Sequence, residues 1–147
     1  NIGQEKIIRA ITLSHLVTVY VKVYLGVLSP VCGCGVAAGV GCAAGLTYLR
    51  GGSKEQIKNA ISNMVAGIAG MLCDGAKLGC SYKLSISVNA VTEASDMALN
   101  NVSIPPLNGI LSLSAEQTVQ NLAMISSDGM DRTDNVMLDV MLNHRCS

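Results

Sequence analysis

Two short segments concentrate the residues able to do chemistry: Ser29-Pro30-Val31-Cys32-Gly33-Cys34 and Cys73-Asp74-Gly75-Ala76-Lys77-Leu78-Gly79-Cys80. Thiolates arriving from separate segments, each beside glycines that let backbone come close to a bulky inorganic centre, suit an iron–sulfur cluster. Zinc is the rival for such ligands. Structural zinc usually brings compact cysteine pairs with two to four residues between them. Here six residues separate Cys73 from Cys80 and one separates Cys32 from Cys34, which argues against it. His15 and His144 each stand alone in a helical pattern and read as ordinary surface or core histidines. Cys42 falls on the smooth face of a helix and reads as core, since free cysteine is commonly a small buried hydrophobe. Cys146, one residue from the end, reads as part of a tail.

The elements that must position these thiols read as helices. Residues from about Gln4 to Leu25 carry Ile7, Ile8, Ile11, Leu16, Val19 and Val23 at spacings nearer helical than alternating, despite the strand-like run Val17 to Tyr24. Ser29 caps a second helix with Pro30 at its first position; Gly35, Gly39, Cys42 and Leu46 then share one face. Gly51-Gly52 ends it, and Ser53-x-x-Gln56 is a capping box opening a third helix through Ile57, Ile61, Met64, Val65 and Ile68, which stops near Cys73. Tyr82 to about Asn100 reads as a fourth helix, residues 103–109 as a loop, Ser114-x-x-Gln117 as the start of a fifth helix to about Ser126, and Asp131 to Asn143 as the last. The expected fold is all-α, a single compact bundle of about five to seven helices with Gly/Ala-rich, close-packed core helices.

Composition sets the limits. With 147 residues, one domain is the default. Half of the residues are apolar, 14% are charged and net charge is zero, so no field advertises nucleic acid as a partner. Val23 through Leu49 carries no charge, but Pro30 interrupts it and its many Gly, Ala and Cys residues contribute little to insertion, so no membrane span is expected. A chain this apolar is expected to keep part of its surface against another domain or a copy of itself. The first residue, Asn1, suits a piece of a longer protein. Clustered cysteines and ample aliphatic residues favour a reducing, cytoplasmic setting over a disulfide scaffold. No phosphate loop, dinucleotide fingerprint or H-E-x-x-H pair is present.

The string Leu28-Ser29-Pro30-Val31-Cys32-Gly33-Cys34-Gly35-Val36-Ala37-Ala38-Gly39, with Gly45-Leu46-Thr47-Tyr48-Leu49, Gly51-Gly52, Ala60-Ile61-Ser62-Asn63-Met64 and Gly70-Met71-Leu72-Cys73-Asp74-Gly75-Ala76-Lys77, followed by Cys80, resembles the alpha-chain domain of iron–sulfur L-serine dehydratases, closest to their L-cysteine desulfidase branch. The resemblance covers most of residues 5 to 145 and implies a 4Fe-4S cluster held by three thiolates. Carried onto this chain, these are Cys32, Cys73 and Cys80. Cys32 is preferred over Cys34 because the family's first ligand precedes a valine by four residues, as Cys32 precedes Val36; Cys34 is the reserve, and Cys146 is a weaker candidate by analogy with a terminal cysteine in some relatives.

The implied reaction is β-elimination from L-cysteine or L-serine, giving pyruvate, ammonia and sulfide or water, with an open iron as Lewis acid. Asp74, Lys77 and Asn63 are candidates for orienting substrate or supporting the cluster. The resemblance places the proton-abstracting base and much of the carboxylate-binding surface in an N-terminal region that this chain lacks, which would leave the isolated fragment inactive. The alternatives are a non-catalytic iron–sulfur or redox-sensing module, whose thiols respond to oxidants, and a helical assembly domain.

Overall fold

Six helices account for most of the computed structural model, which describes residues 2–143. They are α1 (Gln4–Leu25), α2 (Ala38–Leu49), α3 (Lys54–Ile68), α4 (Leu78–Leu99), α5 (Ala115–Met124) and α6 (Thr133–Asn143). Wide π-helical turns precede α2 at Gly33–Ala37 and follow α5 at Ile125–Gly129. The all-α expectation holds among the described residues, including the strand-like run Val17 to Tyr24, which lies inside α1.

The centre of the bundle is α2, which packs against α1, α3 and α4. It does so by being thin. Gly41 abuts Thr18 and the Ser14 carbonyl of α1, while a Cβ on Gly45 would lie 2.7 Å from the Ala10 carbonyl oxygen. Across the interface Ala10, Ser14 and Thr18 recur every four residues, so two smooth stripes meet and the backbones approach closely. On another side a Cβ on Gly39 would lie 2.6 Å from Met64 Cε of α3. Val36, Val40, Ala43 and Ala44 are fully buried in the resulting core with Met64 and Val65 of α3.

This packing sets the faces of α1, and the structure corrects two expectations. Ile8, Leu16, Val19 and Val23 of α1 are exposed, with Val23 at 73%; Ala10, Val21 and Leu25 face inward instead, because the small residues make the close contact. Cys42 is exposed and is not core: the tight face of α2 is Gly41-Gly45, leaving Cys42 and Leu46 to floor an open apolar groove between α1 and α4. Ser29 and Pro30 do not start a helix. The Ser29 hydroxyl donates to Val31 O at 2.8 Å, Val31 pairs antiparallel with Leu72, and the helical path begins only at Gly33.

The remaining boundaries follow local chemistry. Ser53 and Gln56 form the full capping box, with Gln56 N–H to Ser53 Oγ at 3.2 Å and Ser53 N–H to Gln56 Oε1 at 2.9 Å. Ser114 caps α5 through Gln117 N–H at 3.0 Å, but the Gln117 amide turns to Asn121 and the box is only half made. Helix α3 ends at Ile68, before Cys73, because the chain must straighten to pair with Val31. The Val23–Leu49 run is divided by the loop after Leu25; α1 is the one helix among the described residues long and apolar enough to cross a membrane by length and composition. Large apolar side chains on α1, α4 and α6, among them Ile8, Leu84, Val88, Val136 and Val140, are exposed, as the composition leads one to expect.

Because Gly41 has only backbone and a hydroxyl in front of it, Gly41→Ala should force α1 and α2 apart. We expect a loss of about 2–3 kcal/mol of stability, read as a fall of several degrees in Tm, whereas Gly67→Ala, with open space at that position, should cost nothing or stabilise slightly.

Candidate functional site

An antiparallel bridge brings the two cysteine segments together. Cys32 N–H donates to Met71 O at 2.8 Å and Cys73 N–H donates to Pro30 O at 2.7 Å, around the pair Val31 and Leu72. Cys32 and Cys73 thereby sit at the two ends of one short pairing, although 41 positions separate them (73 minus 32). Val31 is fully buried, which fixes the bridge to the core.

Each thiol has a distinct setting. Cys32 is buried at the N-cap of the π turn, and its Sγ accepts from Gly35 N–H at 3.3 Å. A sulfur in that position accepts from one of the backbone N–H groups left unpaired at the start of the helical path. Cys34 is exposed, as is Cys73. Cys80 is half-buried in the first turn of α4. Burial pushes its thiol above the ordinary value, and the neighbouring Cys34, Cys32 and Cys73 thiols push it further in the same direction. All four line one cleft of about 700 Å3, together with Thr18 and Lys22 of α1, Ser29, Gly33, Asp74, Gly75 and, from α6, Asp134, Met137, Leu138 and Met141. Among the described residues no three His, Cys, Asp or Glu side chains gather tightly enough to hold a single ion.

Charged groups hold the loop after Cys73. Lys83 of α4 donates to Leu72 O at 2.8 Å and pairs with Asp74, which keeps the Asp74 carboxyl below the usual carboxylate range and the Lys83 ammonium above its own. In both cases the mutual hydrogen bond outweighs the opposing desolvation. Gly75 turns the loop at φ +89°, which a side chain would strain. Lys22, in the last turn of α1, donates to Val27 O at 2.9 Å.

Of the residues anticipated from sequence, Cys32, Cys34, Cys73, Cys80 and Asp74 converge on this cleft. Lys77 lies beside it and places its Nζ 3.0 Å from Met141 Sδ. Asn63 does not reach it. Its amide donates to Val102 O at 3.1 Å and accepts from Ile104 N–H at 2.9 Å, so it fastens the loop that follows α4 and lines a separate cavity with Glu93 and Asn108. His15 is exposed and touches neither cleft, while Cys146 and His144 fall outside the described residues. Sequence reasoning missed Lys22, Lys83 and Asp134: Lys22 and Asp134 line the cleft, Lys83 holds the loop after Cys73, and no local motif marks any of the three.

The Asp74–Lys83 pair has a defined pH window. A lowered carboxyl contributes stability that is present above the ordinary carboxylate range and is lost as pH falls through the lowered value; the raised lysine contributes below its ordinary value and loses that contribution above it. Lys83→Met should therefore cost about 1–2 kcal/mol at neutral pH. In thermal melts its difference from wild type should shrink below about pH 4; an equal difference at pH 7 and pH 3 would contradict this account.

A family model described as serine dehydratase alpha chain matches residues 1–139. A UPF0597 protein of Caldanaerobacter subterraneus subsp. tengcongensis is 66% identical over 139 residues, covering 95% of this chain and 33% of that protein. UPF0597 proteins of Clostridium tetani and Clostridioides difficile are 60% and 49% identical, over 99% and 95% of this chain and 34% and 33% of their own lengths. The chain thus spans about a third of the curated relatives it matches. No solved structure matches it.

Proposed function

Since this chain belongs to the serine dehydratase alpha-chain family, we propose that it is the cluster-holding part of an iron–sulfur lyase that removes the β-substituent of L-cysteine or L-serine. The observation that carries the reading is the convergence of Cys32, Cys73 and Cys80, with Cys34 beside them, on one cleft. A donor set made of cysteines alone suits iron–sulfur chemistry. A polynuclear cluster takes its ligands on different irons, so it can draw on thiolates from separate segments.

We assign the three ligands to Cys32, Cys73 and Cys80, with Cys34 as the alternative to Cys32. The Gly35 N–H directed at Cys32 Sγ supports that choice, because hydrogen bonds to cluster sulfurs stabilise the charge they carry. When bound, a 4Fe-4S cluster with three protein ligands offers its fourth iron as a Lewis acid for the substrate's β-substituent. The chain's own residues prepare the place. The bridge at Val31 and Leu72 fixes the separation of Cys32 and Cys73, and Lys83 keeps Asp74 folded back so that the Cys73 loop stays closed. Loss of the α-proton and the β-group leaves aminoacrylate, which hydrolyses to pyruvate and ammonia.

The base that takes the α-proton is assigned outside this chain. Relatives about three times its length have room to supply it, and an alpha chain by description acts with a companion. Setting and partners follow from the same reading: a reducing, cytoplasmic compartment, and an assembly that covers the exposed apolar side chains of α1 and α4. A second reading, a redox-sensing module, draws on the exposed thiols of Cys34 and Cys73 in the same cleft as Cys80.

Anaerobic reconstitution of the whole protein with iron and sulfide, followed by visible absorption and pyruvate release from L-cysteine and L-serine, tests the proposal. We expect a cluster band with turnover, lost in Cys73→Ser and Cys80→Ser. Cys32→Ser should abolish the band and Cys34→Ser should keep it; the reverse would exchange the two. Because the Cys80 thiol must lose a proton to bind metal, loading should rise with pH between 6 and 9. A band without pyruvate, and an oxidation-dependent change of partner, would favour the sensor; no band in wild type would sink the lyase.

A further inference from the structure

We propose that Lys22 is the anchor for the substrate's carboxylate. The inference rests on the reading of the cysteine cleft as an amino-acid site and adds the group that recognises the end of the substrate that does not react. Among the described residues Lys22 is the one cation lining the cleft. The other two lysines nearby are occupied elsewhere: Lys83 is held by Asp74 and Leu72 O, and the Lys77 ammonium lies against Met141 Sδ. Lys22 has no carboxylate partner among the described residues.

The position of the ammonium is defined. Nζ donates to Val27 O at 2.9 Å, which ties it to the loop that carries the first cysteines. A Cβ built on Gly33 would lie 3.3 Å from the same Nζ, so the ammonium sits directly over the turn between Cys32 and Cys34. An ammonium has three donors, and one is used on Val27. Two remain for an incoming group in the cleft that the thiols line. Gly33 lets the ammonium lie close over this turn without a side chain between them. Neighbouring hydroxyls are less suited, since Thr18 Oγ1 donates to Ser14 O at 2.8 Å and Ser29 Oγ donates to Val31 O. The acids of the cleft, Asp74 and Asp134, would repel a carboxylate, and Asp74 is already paired. A substrate entering between thiolates and acids therefore meets one attractive charge, and its location sets which end faces the thiols.

The test compares two small thiols by calorimetry on the whole protein, with and without reconstituted iron and sulfide: 3-mercaptopropionate, which carries a carboxylate, and 2-mercaptoethanol, which does not. Neither needs turnover. Wild type should prefer the carboxylate. Lys22→Gln, which keeps a donor for Val27 O and removes the charge, should weaken 3-mercaptopropionate about tenfold and leave 2-mercaptoethanol unchanged; Lys22→Arg should recover part of the loss. In kinetics the same variant should raise KM for L-cysteine with the cluster absorption intact. Equal binding of the two thiols by wild type, or equal weakening of both in Lys22→Gln, would overturn the anchor. A wild type that prefers the carboxylate yet takes up no cluster would overturn the lyase reading and leave the anchor standing.

Discussion

Two backbone hydrogen bonds, Cys32 N–H to Met71 O and Cys73 N–H to Pro30 O, are the constraint on which the cysteine cleft depends. An all-helical chain has few ways to hold two loops in fixed register, because helices satisfy their backbone groups internally and leave connecting segments to find other partners. Here the loops pair with each other, and the fully buried Val31 roots the pair in the core. The helical path must then restart at Gly33, and it does so through a π turn that leaves Cys32 as its cap. Such wide turns are common where a functional group must be presented.

The bundle that supports this bridge is built on the absence of side chains. Gly41 and Gly45 let α1 approach α2 until Ser14 and Thr18 touch the backbone, and Gly39 admits Met64 from the other side. A thin central helix brings its neighbours inward, so Lys22 at the end of α1 and Cys80 at the start of α4 both reach the mouth of the same cleft. The same geometry leaves the large aliphatic residues of α1 and α4 outside. Close approach by small residues and outward display of large ones are two results of one packing choice.

Much of the local structure was legible because it follows from local chemistry. The Ser53/Gln56 capping box, the Gly51 turn at φ +89°, and the helices around them are set by neighbouring residues hydrogen-bonding within a turn. The helix at Ser29-Pro30 was misread because an ordinary N-cap signal lost to a long-range pairing with Leu72, which no local pattern announces. Cys42 was misplaced for a related reason. On a helix with small residues on several faces, spacing alone does not say which face another helix takes, and the decision lay with Ala10, Ser14 and Thr18 across the interface.

By itself the sequence determined the helical class, the caps and the identity of the thiols, since these depend on side-chain type and on spacing within a few residues. Tertiary structure alone decided that Cys32, Cys34, Cys73 and Cys80 share a cleft, that Asn63 serves a loop instead, and that Lys22 joins the thiols while Lys83 closes the loop behind them. Several join residues far apart in the chain, such as Cys32 with Met71 and Asn63 with Val102. They are selected by how closely smooth helices pack and by which backbone groups remain unpaired, quantities that exist only once the chain has folded.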